Sequence, residues 1–544
     1  MARLIGVQGD LWNDFAAVFP TERALASAAL ALGADKVSGF SAKEAALAAG
    51  GKTPARAILH ALIDAIREGY DPMGDAFCAL RTPATRREHG ATYTPMPIVQ
   101  TMIDWARVGS PSRIIDPGVG SARFLMRAAA AFPQAQLIGV DIDPLATLIA
   151  RANLAVLGVT NRTRITLGDY REFEEPIAGR TLYVGNPPYV RHHQIAPRWK
   201  DWLFSEASNI GLNASKLAGL HVYFYLATAI KARAKDYGAF ITASEWLDVN
   251  YGALVRNLIL NKLGGQSVTV IEPTAQPFPD AATTAAITTF EIAAKPKSIF
   301  FQRIDKLENL SELGNGRPIN RERLAVEPRW SFLTHPIQKA PDGYVELGEL
   351  CRVHRGTVTG ANEVWIEGEH SAGLPTSVMF PTVTRARDVL DAEGVLADPA
   401  KLRRVIDLPR DLDELDAAER RAVTQFLSIA RKMGANSGYV ASHRKAWWSI
   451  GLRKAAPILS TYMARRPPAF VMNQVGARHI NIAHGLYPRD EMSEGVKQAL
   501  VDFLQSNVSQ RSGRTYAGGL TKFEPREMER VFVPGPELLA AAAT

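Results

Sequence analysis

Residues 113–142 read RIIDPGVGSARFLMRAAAAFPQAQLIGVDI. A short apolar run ends in Asp116, a Pro-Gly-Val-Gly turn follows, and then come a stretch with helical apolar spacing and a second apolar run ending in Asp141. Strand, glycine turn, helix and strand within about thirty residues is how a parallel sheet begins, because parallel strands need a crossover of that kind. The alternation continues. RITLGD (164–169), TLYVGN (181–186) and GAFITAS (238–244) are strands by the same reading. PLATLIARANLAVLG (144–158) and KLAGLHVYFYLATAIKARA (216–234) are the helices between them. SVTVIEP (267–273) and AAITTFEIAA (285–294) complete the sheet as an antiparallel pair. The fold class predicted is α/β, built on a mostly parallel seven-stranded sheet.

The rest of the 544 residues is organised around that region. Residues 1–80 are Ala-rich, and SAKEAALAAG (41–50) and ARAILHALIDAIREGY (55–70) show helical spacing without pointing to any chemistry. The α/β domain is expected over 81–300, a connecting segment over 301–340, and a mixed α+β region rich in Arg and Gly over 341–544. The most apolar run, Leu217–Ile230, contains His221 and is too short to span a bilayer, so no membrane association is expected. Asp10 and Asp14 interrupt the apolar core that a secretory signal requires. Cys78 and Cys351 lie too far apart in sequence to suggest a disulfide framework or a cysteine metal site, so a reducing cytoplasm is the expected compartment.

The net charge of +8 hints at an acidic partner, and its distribution says more. DLDELDAAE, residues 411–419, is acidic; then the seventy residues from Arg420 to Arg489 contain no Asp or Glu. That window holds twelve Lys or Arg, interleaved with Tyr439, Trp447, Trp448, Tyr462, Phe470 and Tyr487. Solvated faces usually mix both signs, so a carboxylate-free stretch of this length points to a polyanion.

Four strand ends carry the chemistry. Asp116-Pro-Gly118-Val-Gly120-Ser follows the first strand, where glycines let the backbone approach a ligand. Asp141, followed by Ile142, ends the second strand and is placed to accept both ribose hydroxyls of an adenosine-containing ligand. Asp169, followed by Tyr170, ends the third, placed to accept from an adenine amino group. Each acid alone reads more readily as a helix N-cap; three at successive strand ends describe one nucleoside pocket. Asn186-Pro187-Pro188-Tyr189 ends the fourth. Two prolines remove two N–H donors and hold the backbone extended, leaving rigid carbonyls beside the Asn186 amide. Such acceptors suit a planar amine whose lone pair is delocalised into a ring, because accepting its N–H bonds concentrates electron density on nitrogen.

In this order the motifs of residues 90–290 resemble the amino-methyltransferases of DNA of the gamma class, which implies a Rossmann-like S-adenosylmethionine-dependent domain followed by a C-terminal target recognition domain. Gly90-Ala91-Thr92-Tyr93-Thr94-Pro95 is similar to the family's leading motif, which holds the methionine part of the cofactor. The resemblance assigns Asp116, Gly118 and Gly120 to the glycine loop, Asp141 to the ribose and Asp169 to the adenine of the cofactor. It assigns Asn186 to Tyr189 to catalysis, and Phe278, in QPFPDA, to stacking on a flipped-out base. Ala122 departs from the pattern, standing where a third glycine is common. Arg355–Asn362 (RGTVTGAN) and Gly513–Pro525 (GRTYAGGLTKFEP) resemble the opening and closing segments of such recognition domains.

The implied function is site-specific methylation of the exocyclic amine of adenine in double-stranded DNA, with the base swung out and sandwiched by Tyr189 and Phe278. Binding is expected across the catalytic and recognition domains, with contacts from Arg355, Arg444, Lys445, Trp447, Trp448, Arg478, Arg514 and Lys522. No His or Cys cluster has ligand spacing, so no metal is expected. Methylation of RNA or of a protein glutamine, and a catalytically inactive DNA-specificity protein, remain as other readings, as does the cytosine amino group. A separately encoded restriction enzyme or an orphan role, and monomer or dimer, stand equally open.

Overall fold

Strands with apolar side chains on both faces must be covered on both sides. In the computed structural model, which describes residues 18–82, 85, 93–174, 179–275, 277, 284–334, 340–464, 466–508, 514–516 and 520–543, that requirement organises the first of two units, Met1–Pro336. Its helices and strands are α1 (Glu22–Ala31), α2 (Ala42–Ala48), α3 (Arg56–Arg67), α4 (Pro72–Leu80), α5 (Met96–Ala106), β1 (Arg113–Asp116), α6 (Arg123–Ala131), β2 (Gln136–Asp141) and α7 (Pro144–Val156). There follow β3 (Thr163–Leu167), β4 (Thr181–Gly185), α8 (Pro197–Asn209), α9 (Leu220–Lys231), β5 (Tyr237–Ala243), α10 (Ala253–Leu260), β6 (Gly265–Ile271), β7 (Ala285–Glu291), β8 (Ser298–Ile304) and β9 (Arg317–Asn320).

The strands form one sheet in the order β3-β2-β1-β4-β5-β7-β6-β8-β9. β1 to β5 run parallel, and β7 is antiparallel to both β5 and β6. Chain order reverses between β1 and β4, the switch point at which ligands bind in such sheets. Successive residues face opposite sides: Ile114, Leu137 and Leu182 pack with α1 to α7, whereas Ile115, Ile138 and Tyr183 pack with α8 to α10.

Two differences from the sequence expectation concern the edges. Among the described residues the sheet has nine strands rather than seven: β8 runs across the boundary expected at residue 300, and β9 lies within the stretch expected to connect the domains. β8 pairs with β6 on one side and β9 on the other, β9 closes the edge, and both are half-exposed, so neither shows the continuous apolar run of a central strand. The N-terminal helices, moreover, share the core of the sheet. Arg151 of α7 and Glu44 of α2 form a fully buried ion pair at 2.7 Å, and the same guanidinium donates to the carbonyls of Val37, Ser38, Gly39 and Ile165.

The second unit, Ile337–Thr544, is mixed α and β. A five-stranded sheet orders Cys351–Arg355, Ala483–Pro488, Ile458–Thr461, Phe470–Asn473 and Val395–Leu396 side by side. A three-stranded sheet orders Arg403–Ile406, Met379–Val383 and Arg478–His479. One long helix, α11 (Ala417–Lys432), lays Val423, Phe426, Leu427 and Ala430 against its own core cluster. Among the described residues no helix is long and apolar enough to cross a membrane.

Candidate active site

The carboxyl ends of β1 to β4 close around one cavity at the switch point. Of the residues singled out from the sequence, Tyr93, Thr94, Gly118, Gly120, Asp141, Ile142, Asp169, Tyr170, Asn186 and Pro188 line it. Asp116, Pro95, Pro187 and Tyr189 do not line it, and Phe278 lies outside the described residues, as do Gly90 to Thr92.

Asp116 is fully buried, and its Oδ1 accepts the Gly118 N–H at 3.3 Å. Burial raises its pKa well above the usual carboxylate range. Its seat depends on a glycine of the next strand, since a Cβ on Gly185 would lie 2.5 Å from Asp116 Oδ1. Asp141 accepts the N–H of Gly120 at 2.9 Å and of Asp143 at 3.0 Å, and burial pushes its pKa up to about 6. The helix cap is Asp143, whose carboxylate takes Leu145 N at 2.9 Å. Asp141 is thus left to hold the glycine loop and face the cavity. Asp169 is gripped by Arg171 through two bonds of 2.8 and 2.5 Å, and that guanidinium lies 3.5 Å from the centre of the Trp199 ring.

The loops after β1 and β4 are neighbours: a Cβ on Gly118 would sit 3.6 Å from Pro188 Cδ and 3.7 Å from Asn186 O. Ala122, where a glycine is common in the family, keeps glycine's left-handed backbone at φ 73°. That conformation costs an L-residue about 1–2 kcal/mol, here offset by a methyl that is fully buried. Tyr189 turns its hydroxyl to Ile241 O at 3.3 Å, its ring 6.4 Å from His221, which burial keeps neutral by pushing its pKa to about 4.

Sequence reasoning missed the support for the leading motif. Asp71 caps α4 and accepts from Ser121 Oγ at 2.5 Å, Arg123 Nε at 2.7 Å and Asn153 Nδ2 at 2.9 Å. Arg123 also donates to Thr94 O at 3.2 Å and lies 5.0 Å from the Tyr93 ring. Phe77, Arg171 and Phe224 complete the wall, with Phe224 stacked on Tyr170 at 5.4 Å. None of these carries a sequence signal beyond ordinary amphipathic spacing.

The residues assigned to DNA binding separate into groups. Arg355 and Lys522 converge on the Tyr462 ring, at 4.6 and 5.1 Å. Lys445 is exposed. Arg444 instead braces a loop, donating to Val358 O at 2.7 Å and Thr359 O at 3.0 Å, and Arg478 donates to Arg453 O at 2.6 Å. Trp447 and Trp448 pack against the core beneath α11, and Trp448 Nε1 donates to Pro409 O at 3.1 Å. A tryptophan beside a basic pair fits a core as readily as a groove, and here both indoles are partly buried against one. The Arg514 side chain lies outside the described residues.

The family model described as N-6 DNA Methylase matches residues 69–244, and that of the C-terminal domain of type II methyltransferase M.Eco57I matches residues 333–544. The type II methyltransferase M.XamI of Xanthomonas campestris pv. amaranthicola is 50% identical over 535 residues, spanning 96% of this chain and 99% of that protein. The type II methyltransferase M.AccI of Acinetobacter calcoaceticus is 22% identical over 82% of this chain and 85% of its own length. The type IIL restriction-modification enzyme MmeI, solved in complex with DNA, shares the fold with a TM-score of 0.54 at 14% identity, over 98% of this chain and 84% of that one. On the near full-length identity to M.XamI, joined by both domain models, the chain belongs to the type II methyltransferases of the N-6 DNA methylase family.

Proposed function

We propose that this chain methylates the exocyclic amine of adenine at a specific site in duplex DNA, with S-adenosylmethionine as methyl donor. The observation that carries the reading is the position of Asn186-Pro187-Pro188-Tyr189, at the end of β4 beside a cavity walled by Asp141 and Asp169.

The residues present fit that cofactor. Among the described residues the Tyr93 hydroxyl on the cavity wall is buried without a hydrogen-bond partner, so the site holds a polar group that a ligand can satisfy. Asp141 would take the ribose hydroxyls, Asp169 the adenine amino group, and the walls at Tyr93 and Thr94 the methionine end. When bound, the cofactor supplies an electrophilic methyl on a sulfonium.

The remaining work falls to the chain. The Asn186 side-chain carbonyl and the Pro187 carbonyl accept the two N–H bonds of the target amine and draw its electron density onto nitrogen. The prolines make those acceptors rigid, so little reorganisation is needed as charge develops. Tyr189 is the stacking partner for the flipped base on this reading, with Phe278 opposite. The methylated nitrogen carries a positive charge acidic enough to release a proton to water, so no strong base is required. DNA is held by the C-terminal unit, where Arg355 and Lys522 meet at Tyr462.

The test is to incubate the purified protein and S-adenosylmethionine with unmethylated genomic DNA and sequence the modified bases. N6-methyladenine within one short motif is expected. Unmodified DNA overturns the activity, and methylated cytosine overturns the choice of base.

A further inference from the structure

Helix α11 crosses the start of the carboxylate-free window, and its two faces have opposite characters. Val423, Phe426, Leu427 and Ala430 are buried. Arg421, Thr424, Gln425, Ser428, Arg431 and Lys432 are all exposed. At 100° per residue these six fall on one continuous arc, and it contains no Asp or Glu. We propose that this face of α11 enters the major groove of the DNA and reads base edges, which makes it the specificity-determining surface of the C-terminal unit. The proposal rests on the reading of the chain as a site-specific DNA methyltransferase.

The dimensions agree. Sixteen residues make a helix about 24 Å long and about 10–12 Å across, which a major groove about 12 Å wide admits. So does the chemistry. Gln pairs in bidentate fashion with adenine, Arg and Lys with guanine, and Ser or Thr with several base edges. Arg431, 5.7 Å from the Trp447 ring, is steadied by that contact.

A solvated surface helix is the competing account, and the composition argues against it. Such a face is best filled with Glu, Lys, Gln and Ala in both signs. Thr424 and Ser428 are poorer helix formers placed mid-helix, where Thr424 Oγ1 donates back to Arg420 O at 2.7 Å and keeps its lone pairs facing outward as acceptors. The helix dipole explains Asp416 and Glu419 at one end and Arg431 and Lys432 at the other, but not Arg421, Thr424, Gln425 and Ser428 between them. The acids near the first turn are also occupied: Asp416 caps Ala418 and Glu419, Asp413 pairs with Arg420 at 2.5 Å, and Glu419 accepts from Ser377 at 2.5 Å. Phosphate repulsion then favours the C-terminal half of the helix at the groove. Elsewhere in the window, Arg444 and Arg478 are committed to backbone carbonyls and Trp447 and Trp448 to the core.

The experiment selects duplexes from a random-sequence pool with the full-length protein, and in parallel sequences methylated genomic DNA. Gln425→Ala, Thr424→Ala and Ser428→Ala are the reading variants, and Arg431→Gln with Lys432→Gln is the charge variant. All are exposed and compatible with helix, and thermal unfolding checks that each still folds. The expected result is that at least one reading variant loses preference at one position of the motif, with a 10–100-fold fall in methylation of the original site. Its affinity for random-sequence duplex should change less than twofold, whereas the charge variant should weaken binding to every sequence. The same motif, selected with equal strength by all the variants, overturns the proposal. A wild-type protein that selects a motif and leaves it unmethylated would instead overturn the activity, with the helix assignment still judged by the selection.

Discussion

Arg123 Nε donates to Asp71 at 2.7 Å, and this buried pair joins the glycine loop to the N-terminal helices. The same carboxylate caps α4 and takes Ser121 and Asn153, while the same guanidinium reaches Thr94 O and, at 2.5 Å, Asp75. A region without catalytic groups of its own thereby sets the position of Tyr93 and Thr94 on the cavity wall.

Asp71→Ala should therefore damage both stability and cofactor binding. The change removes the acceptor of the Ser121, Arg123 and Asn153 bonds and leaves Asp75 as the carboxylate still paired with Arg123, and each lost bond to the charged group costs about 1.5–3 kcal/mol. A lowered melting temperature and weaker S-adenosylmethionine affinity by calorimetry are expected. Unfolding and affinity both at wild-type levels would mean that the leading motif is held by other contacts.

Asn186→Ala should abolish methyl transfer while leaving cofactor and DNA binding nearly intact. Losing one oriented acceptor where charge develops costs about 10²–10³ in rate. Single-turnover assays with saturating DNA give the measurement, and near-normal turnover would remove Asn186 from the chemistry.

How much of this was legible in the chain follows from what each residue faces. Central strands such as Leu182–Val184 are apolar on both sides and announce themselves, whereas β8 and the edge strand β9 are half-exposed and read as linker. The strand-end acids were legible because their spacing follows the strand repeat. Asp71 and Arg123 were not, since they lie 52 residues apart and meet only after α4 docks beside the glycine loop. In the basic window, sequence reported charge but not direction. Lys445 points to solvent, while its neighbour Arg444 turns inward to hold Val358 and Thr359.

The buried Asp141 gives cofactor affinity a pH dependence. Its pKa, raised by burial to about 6, leaves it ionised above that pH and protonated below. Ribose hydroxyls are donors and need the ionised form. Affinity should be constant well above pH 6 and fall as pH drops through it, and Asp141→Asn should bind weakly with a flat profile. The stability of the apoprotein runs the other way. An acid whose pKa is raised on folding adds stability that is full below its unfolded value of about 3.9 and lost as pH rises through the folded one. Relative to wild type, apo Asp141→Asn should gain stability as pH rises from about 4 to about 6 and keep that gain above it. An S-adenosylmethionine affinity that ignores pH, with Asp141 intact, would place the ribose elsewhere.

The neighbours Arg444 and Lys445 should separate folding from DNA binding. Arg444 spends its guanidinium on two loop carbonyls, and burial lowers its pKa, so its removal deprives Val358 and Thr359 of a donor. Arg444→Ala should lower the melting temperature by an amount equivalent to about 1–3 kcal/mol, the usual cost of losing charge-assisted bonds. Lys445 is exposed, and exposed cations contribute little to folding. Lys445→Ala should melt like wild type. If its ammonium neutralises one phosphate, the log–log salt slope of DNA affinity should flatten by about 0.9, equally for every sequence. A slope unchanged in Lys445→Ala would show that the duplex does not pass this residue. The cations at Tyr462, Arg355 and Lys522, would then be the next pair to test by the same measurement.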